Sequence, residues 1–252
     1  MKQALVWWSF VNSSDYSPEE VMSAAKDIGY DAMEMMQPEQ IPMVKDHGLD
    51  VALLIGHDSL GDGMNDPENH DRIAKELSAK IEVAAENDVP VLVCFSGNRR
   101  FGLSDTKGAE YCAEILARIA PEAEDAGVTL CMELLNSKVD HAGYQCDNTA
   151  WGAHVCRMVN SPAVKLLYDV YHMQIMEGDL IRTITDNIEW IGHFHTGGNP
   201  GRNDIDGTQE IYYPPIAQAI EDSDYDGYVS HEYTPKGDTI ESAKMAYEIF
   251  EL

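Results

Sequence analysis

Polar residues that can bind metals or move protons stand at the ends of short apolar runs in this 252-residue chain. In chain order they are Glu34, His57, Asn98, Glu133, Asp169, His172, His195 and Glu232. Burying a charged group costs free energy unless that group is paired or bound to a metal. Taken singly, each residue is better explained as a cap or an ion-pair partner. Taken together they indicate a shared partner, and mixed carboxylate and imidazole ligands suit one divalent metal ion, Mn²⁺, Mg²⁺ or Co²⁺.

The segment from Trp190 to Asp204, WIGHFHTGGNPGRND, places two histidines before a glycine-rich turn. Alternate residues of a strand share a face, so His193 and His195 are expected to point the same way. His195 lies nearer the strand end and is the expected ligand, whereas His193 is expected to support it or to lie in the core. Arg202 in the turn can hold a carboxylate, phosphate or hydroxyl group, the alternative being a surface ion pair.

The elements that must position these residues alternate along the whole chain. Short, nearly continuous apolar runs are typical of strands buried on both faces. Predicted strands cover 4–10, 31–36, 49–56, 89–97, 128–136, 164–172, 188–197 and 227–233. Amphipathic stretches separate them, and the first begins with a capping box in which Ser17 is the N-cap, Pro18 follows and Glu20 closes the box.

Eight strand–helix units without a linker predict an α/β fold, a single (β/α)8 TIM barrel over residues 1–252. In such barrels chemistry gathers at the C-terminal ends of the strands, where the polar residues stand. A doubly wound open sheet is the alternative, but the turn after the first strand, SFVNSSDYS, contains no GxGxxG pattern. The barrel is therefore the favoured prediction.

Composition narrows the class of partner. With 17 basic and 44 acidic residues the formal charge is −27, which repels nucleic acid and anionic membranes. The five cysteines show no CxxC spacing, and no run has the length of a signal peptide or a membrane span. We expect a cytoplasmic protein that acts on a small molecule and binds no nucleic acid or membrane. Homo-oligomerisation is left open.

From about residue 90 onward the chain resembles the hydroxypyruvate isomerases, which belong to the sugar isomerase and epimerase barrels of the xylose-isomerase-like superfamily. The segments that carry the resemblance are VCFSGNRRFGLSD (93–105), DVYHMQIMEGDL (169–180), GHFHTGGNPGRND (192–204), IYYPP (211–215) and HEYTPKG (231–237). The resemblance implies a barrel enzyme with one bound divalent metal.

Carried over residue by residue, the resemblance implies particular roles. The implied metal ligands are Glu133, Asp169, His195 and Glu232, with Glu133 and Glu232 also the paired catalytic carboxylates. His172 and Arg202 are the implied substrate contacts. From the residues alone, His57 and Asn98 are added as polar groups of the substrate pocket, with loop capping as the alternative, and Glu34 is expected to be a buried ion-pair residue.

The implied reaction moves a proton between two glutamates through an enediolate, which isomerises a small α-hydroxy-carbonyl compound such as hydroxypyruvate to tartronate semialdehyde. A ketose 3-epimerase is the alternative, because hydroxypyruvate isomerases commonly carry glutamine where His195 stands. Against it, the epimerases carry glutamate where this chain has Val139 and Gly198. An inosose-type dehydratase uses similar groups, and the charge disfavours an AP endonuclease.

Overall fold

Nine parallel strands form one sheet in the computed structural model, which describes residues 1–223 and 225–252. The strands are β1 Lys2–Val6, β2 Ala32–Glu34, β3 Asp50–Val51, β4 Leu53–Ile55, β5 Val91–Cys94, β6 Thr129–Glu133, β7 Val164–Asp169, β8 Ile191–Thr196 and β9 Tyr228–His231. Their order is β3-β2-β1-β9-β8-β7-β6-β5-β4. The two strands at the ends of this order, β3 and β4, are separated in sequence by Ala52 alone, so the sheet closes almost completely into a barrel.

The predicted TIM barrel is confirmed. The third predicted strand, 49–56, is split into β3 and β4 at Ala52, whose N–H donates to the Met33 carbonyl at 3.0 Å. The other seven predicted strands each correspond to one observed strand.

Helices separate the strands along the chain. They are α1 Trp7–Phe10, α2 Pro18–Ile28, α3 Ile41–Asp46, α4 His70–Glu86, α5 Asp105–Ala126, α6 Thr149–Val159, α7 Val170–Met176, α8 Leu180–Asn187, α9 Tyr213–Glu221 and α10 Thr239–Phe250. The predicted capping box at α2 is present, since Ser17 Oγ accepts from Glu20 N–H and the Glu20 carboxylate accepts from Ser17 N–H. No helix in the described part of the chain is long and apolar enough to cross a membrane.

All eight predicted strands extend past the observed C-terminal ends, and two of these differences shape the site. The first was predicted over 4–10 but ends at Val6, because Trp7–Phe10 form a helical turn. The sixth was predicted over 164–172 but ends at Asp169, whose Oδ1 caps α7 by accepting from His172 N–H at 3.2 Å. Side-chain capping therefore ends an apolar run that periodicity alone would continue.

The barrel core is apolar along the strands and polar at one end. Residues such as Leu130, Met132 and Leu166 are completely buried, as expected for a sheet covered by helices. All five cysteines are buried free thiols. The polar exceptions gather at the C-terminal strand ends, where Glu34, Glu133, Asp169 and His195 are buried.

Candidate active site

Four side chains from neighbouring strand ends meet in one buried group. They are Glu133 at the end of β6, Asp169 at the end of β7, His195 on β8 and Glu232 immediately after β9. One potential ligand atom from each lies within 4.8 Å of those of the others. The strand register produces this proximity, because Asp169 pairs with His195 and Thr196 pairs with His231. The four residues implied as metal ligands are therefore brought together, and we call them the carboxylate cluster.

The donor chemistry of the carboxylate cluster fits a divalent cation. Three carboxylates and one imidazole nitrogen are hard or borderline ligands, which suit ions such as Mg²⁺, Mn²⁺ or Co²⁺. All four residues are buried, so their negative charge needs compensation that water cannot supply. A cation held between them would provide it.

His195 is oriented by a carboxylate on the far side of the barrel. Its Nε2 lies 2.7 Å from Glu34 Oε1, while its Nδ1 faces Glu232 Oε2 at 2.9 Å and Glu133 Oε1 at 3.7 Å. A carboxylate bonded to one ring nitrogen fixes which nitrogen is presented to a metal. Nδ1 is thus the ring nitrogen that His195 directs into the carboxylate cluster.

Glu34 also binds the second histidine of the strand. His193 Nε2 lies 2.9 Å from Glu34 Oε2, which further accepts from Ser230 Oγ at 2.5 Å. Burial on its own would raise the pKa of Glu34, but the facing imidazoles of His193 and His195 outweigh it and hold the pKa well below its usual value. Glu34 is the buried ion-pair residue that was expected, and His193 supports His195 through it.

The carboxylates of the cluster differ in their affinity for protons. Burial, together with the charges of Glu232 and Glu133, raises the pKa of Asp169 to about 7 against the opposing effect of Arg202. Burial also raises the pKa of Glu133. At Glu232 burial is outweighed by Arg202 and His195, which hold its pKa well below the usual value. The pKa values of carboxylates crowded at one buried site therefore shift in opposite directions, according to the charges that face each of them.

Arg202 reaches the carboxylate cluster from the turn after β8. Its Nη2 donates to Glu232 Oε2 and lies 3.4 Å from Asp169 Oδ2. The guanidinium carbon stands 5.3 Å from the ring of Trp8 and 5.6 Å from that of Tyr171. Arg202 therefore contacts residues of the site, and the alternative interpretation, a surface ion pair, is wrong.

His172 presents a defined tautomer. The amide oxygen of Asn136 accepts from Val139 N–H and Asp140 N–H, so its amide nitrogen must face His172 Nδ1, at 2.6 Å. An amide nitrogen can only donate, hence Nδ1 accepts and the ring proton lies on Nε2. Burial, and then the charge of Arg202, lower the pKa of His172 well below its usual value. The neutral ring directs an Nε2–H donor, which lies 3.5 Å from Asp169 Oδ2.

Two contacts of the site were not predicted. Trp8 Nε1 donates to Glu232 Oε1 at 3.0 Å, and Asn136 orients His172. Asn136 ends the apolar run VTLCMELLN, and that position is a usable signal, whereas Trp8 lies inside the run ALVWWSF. Neither residue type indicates catalysis by itself, since Trp is usually a core residue and Asn is usually a cap.

His57 and Asn98 have different surroundings from the carboxylate cluster. His57 is buried, its Nε2 accepts from Phe95 N–H at 2.9 Å, and burial lowers its pKa to about 4. The Asn98 backbone N–H donates to the Gly61 carbonyl and its backbone carbonyl accepts from Asn65 Nδ2, both at 2.8 Å, while its side-chain Oδ1 is buried without a hydrogen-bond partner in the described part of the chain. The contacts of both residues join the loops that follow β4 and β5, and their role in binding substrate stays a prediction.

Known sequences place the chain in a family. A family model described as Xylose isomerase-like TIM barrel matches residues 22–249. The hydroxypyruvate isomerase of Escherichia coli K12 is 31% identical over 173 residues, which are 69% of this chain and 66% of that protein. The 2-oxo-tetronate isomerase of Cupriavidus necator is 34% identical over 126 residues, 50% of this chain and 48% of that protein. The matched segments thus span less than two thirds of either relative.

Solved structures with the same fold cover nearly the whole chain. One described as an AP endonuclease, family 2, from Brucella melitensis has a TM-score of 0.84 at 24% identity and covers 96% of both chains. The D-psicose 3-epimerase of Clostridium cellulolyticum H10 has a TM-score of 0.81 at 18% identity, covering 99% of this chain and 98% of that one. At such identities the likeness establishes the fold alone. With the family match over residues 22–249, the chain belongs to the xylose isomerase-like TIM barrel family.

Proposed function

We propose that this protein is a divalent-metal-dependent isomerase of a small α-hydroxy-carbonyl compound, with hydroxypyruvate and tartronate semialdehyde as the substrate pair. The observation that carries the proposal is the placement of Glu133 and Glu232, two buried glutamates in one carboxylate cluster. The relatives named hydroxypyruvate isomerase and 2-oxo-tetronate isomerase support the same reaction class.

The four cluster residues, Glu133, Asp169, His195 and Glu232, would hold the cation, for which Mg²⁺, Mn²⁺ and Co²⁺ are the candidates. When bound, such an ion supplies positive charge that acidifies the α-proton and stabilises the developing enediolate. Glu34 holds His195 for this task by its 2.7 Å contact with Nε2. Burial of the site keeps bulk water from competing for the same groups.

The two glutamates carry out the proton transfers. One removes a proton from C3 of hydroxypyruvate to give the C2–C3 enediolate, and the other delivers a proton to C2. The proton of the C3 hydroxyl passes to the C2 oxygen, so C3 becomes the aldehyde of tartronate semialdehyde. Both glutamates would also bind the cation, so their protonation is coupled to its charge.

Two further side chains bind the substrate in this proposal. His172 donates its Nε2–H to a substrate oxygen, because Asn136 keeps the ring proton on that nitrogen. Arg202 holds the far end of the substrate, and Trp8 and Tyr171 support its guanidinium from the two ring contacts. His57 and Asn98, whose contacts join the loops after β4 and β5, are proposed as further polar groups of the substrate pocket.

A ketose 3-epimerase is the second candidate, favoured by the histidine at position 195. Two features weigh against it. A side chain at Gly198 would place its Cβ 2.3 Å from the Asp204 carbonyl oxygen, so this backbone leaves no room for the glutamate of the epimerases. Val139, at the other epimerase glutamate position, is exposed. The isomerase is therefore the preferred proposal.

The test is proton NMR of hydroxypyruvate in D₂O with the protein loaded with Mg²⁺, Mn²⁺ or Co²⁺ in turn. We expect tartronate semialdehyde with deuterium at C2. Glu133→Gln and Glu232→Gln should each reduce turnover by about 10²- to 10⁴-fold, whereas Glu248→Gln, an exposed glutamate on α10, should leave it unchanged. If the protein epimerises D-fructose or D-tagatose and does not react with hydroxypyruvate, the proposed isomerase is wrong and the protein is an epimerase. Loss of water from the substrate would indicate a dehydratase.

A further inference from the structure

The loop after β6 carries a histidine that the proposed reaction does not use. His141 N–H donates to the Asn136 carbonyl at 3.1 Å, and the His141 carbonyl accepts from Tyr144 N–H at 2.9 Å. Because Asn136 also orients His172, one residue fixes both histidines. The rings of His141 and His172 pack edge to face, with centroids 5.2 Å apart.

Three nitrogen atoms beside the carboxylate cluster are buried without a partner. They are His141 Nε2, His172 Nε2 and Arg202 Nε, each exposing less than 1 Å² and making no hydrogen bond within residues 1–223 and 225–252. His172 Nε2 lies 3.5 Å from Asp169 Oδ2, but the two atoms do not form a hydrogen bond. His172 is completely buried as a residue. Leaving a buried donor or acceptor unsatisfied costs free energy, so such atoms are uncommon in proteins. Their gathering at one site indicates a ligand that bonds to them.

The chemistry of these atoms restricts the ligand. Arg202 Nε and His172 Nε2 can only donate, so their partner must accept several hydrogen bonds. A carboxylate, with about four lone-pair sites, does so better than a hydroxyl group. Burial, and then the charge of Arg202, lower the pKa of His141. The neutral His141 ring can accordingly carry its proton on Nε2 and add a third donor.

We propose that His141 contacts the substrate and, together with His172, binds the carboxylate next to the reacting carbonyl group. Such a contact would distinguish hydroxypyruvate, the substrate proposed above, from a neutral ketose. This inference rests on the proposed isomerase site, but it concerns binding and is tested separately from turnover.

The probe is tartronate, a stable dicarboxylate, titrated calorimetrically into the protein with Mg²⁺ in excess. His141→Leu should weaken tartronate binding by about 10- to 100-fold and raise KM for hydroxypyruvate with little change in kcat. His141→Gln, which keeps a donor, should recover part of the affinity. Val139→Ala, at an exposed position of the same loop, is the matched control and should bind like the unmodified protein. Dihydroxyacetone, which has no carboxylate, should bind the unmodified protein and His141→Leu equally.

Nitrogen-15 NMR of the histidine side chains gives a readout that needs neither turnover nor a folded variant. Saturating tartronate should shift the His141 Nε2 resonance of the unmodified protein. An unchanged resonance, or a His141→Leu variant that binds tartronate as the Val139→Ala variant does, would overturn the proposal. If tartronate binds through His141 but hydroxypyruvate is not isomerised, the carboxylate-binding role of His141 stands and the proposed reaction is wrong.

Discussion

The two halves of the barrel mouth carry similar polar residues and use them differently. On the β6–β9 side, Glu133, Asp169, His195 and Glu232 direct their side chains into one group. On the β4–β5 side, His57 bonds to the backbone of Phe95, and the loop arginines form ion pairs with aspartates. A polar residue at a strand end is therefore a signal for both function and loop structure.

The difference between the halves lies in what surrounds each polar group. On the β4–β5 side the basic side chains have partners in neighbouring loops, as with Arg99, which donates to the Tyr144 carbonyl and to Asp147 in the loop after β6. In the other half, carboxylates face one another, and burial helps raise the pKa of Asp169 to about 7. Crowded like charges in a buried place are typical of functional sites.

The largest effect outside the cluster itself is expected at Glu34, which supports the β6–β9 half. Glu34→Gln removes the charge that orients His195, and metal affinity should fall by about 10- to 100-fold. Calorimetric titration with Mn²⁺ measures it, with Glu248→Gln as the control. An unchanged affinity for Mn²⁺ would mean that His195 binds the metal without the contact between its Nε2 and the Glu34 carboxylate.

Asn136→Asp should have the next largest effect. Its carboxylate can still accept from Val139 N–H and Asp140 N–H but cannot donate to His172 Nδ1, so the ring proton moves to Nδ1. We expect kcat/KM for hydroxypyruvate to fall by about tenfold or more, since a buried donor is lost. Side-chain NMR should report the other tautomer, and an unchanged Nε2–H would contradict the assignment.

A smaller effect, on stability, is expected at His57 in the β4–β5 half. Its pKa is about 4 in the folded protein against 6.5 for an unperturbed histidine. The unfolded chain therefore binds the proton first, and stability present above about pH 6.5 is lost as the pH falls toward 4, on the order of 1–3 kcal/mol. Urea unfolding at pH 7 and pH 4.5 measures this loss of stability. Between these two pH values the free energy of unfolding should fall less for His57→Gln than for the unmodified protein. Equal pH dependence in both proteins would show that His57 is not buried as a neutral ring.

The smallest effect is expected at Arg100. It donates to Asp66 and to the Asn65 carbonyl, but its side chain is 42% exposed, so solvent screens the ion pair. Arg100→Met should lower the free energy of unfolding by about 1 kcal/mol or less and leave kcat/KM unchanged. If Arg100→Met lost as much activity as Asn136→Asp, the β4–β5 half would also contribute to catalysis, and the proposed difference between the two halves would be wrong.

Periodicity and capping predicted most of the local structure. The alternation of apolar runs and amphipathic stretches led to the barrel, and Ser17, Pro18 and Glu20 began α2 where expected. Each predicted strand extended past the observed C-terminal end. At Val6 and Asp169 this happened because the following residues are apolar and the chain turns there for other reasons. At Asp169 that reason is the cap it makes on α7.

The chain's own sequence determined which residues stand at the strand ends and that their types suit a divalent cation. Only the tertiary structure decided which of them meet, because barrel closure brings Glu34 to His195 across 161 positions of sequence. It also decided which ring nitrogen each histidine presents, since Glu34 bonds Nε2 of His195 and Asn136 bonds Nδ1 of His172. Residue types and spacings are local properties, whereas the partner of a buried polar group is set by whatever the fold packs against it.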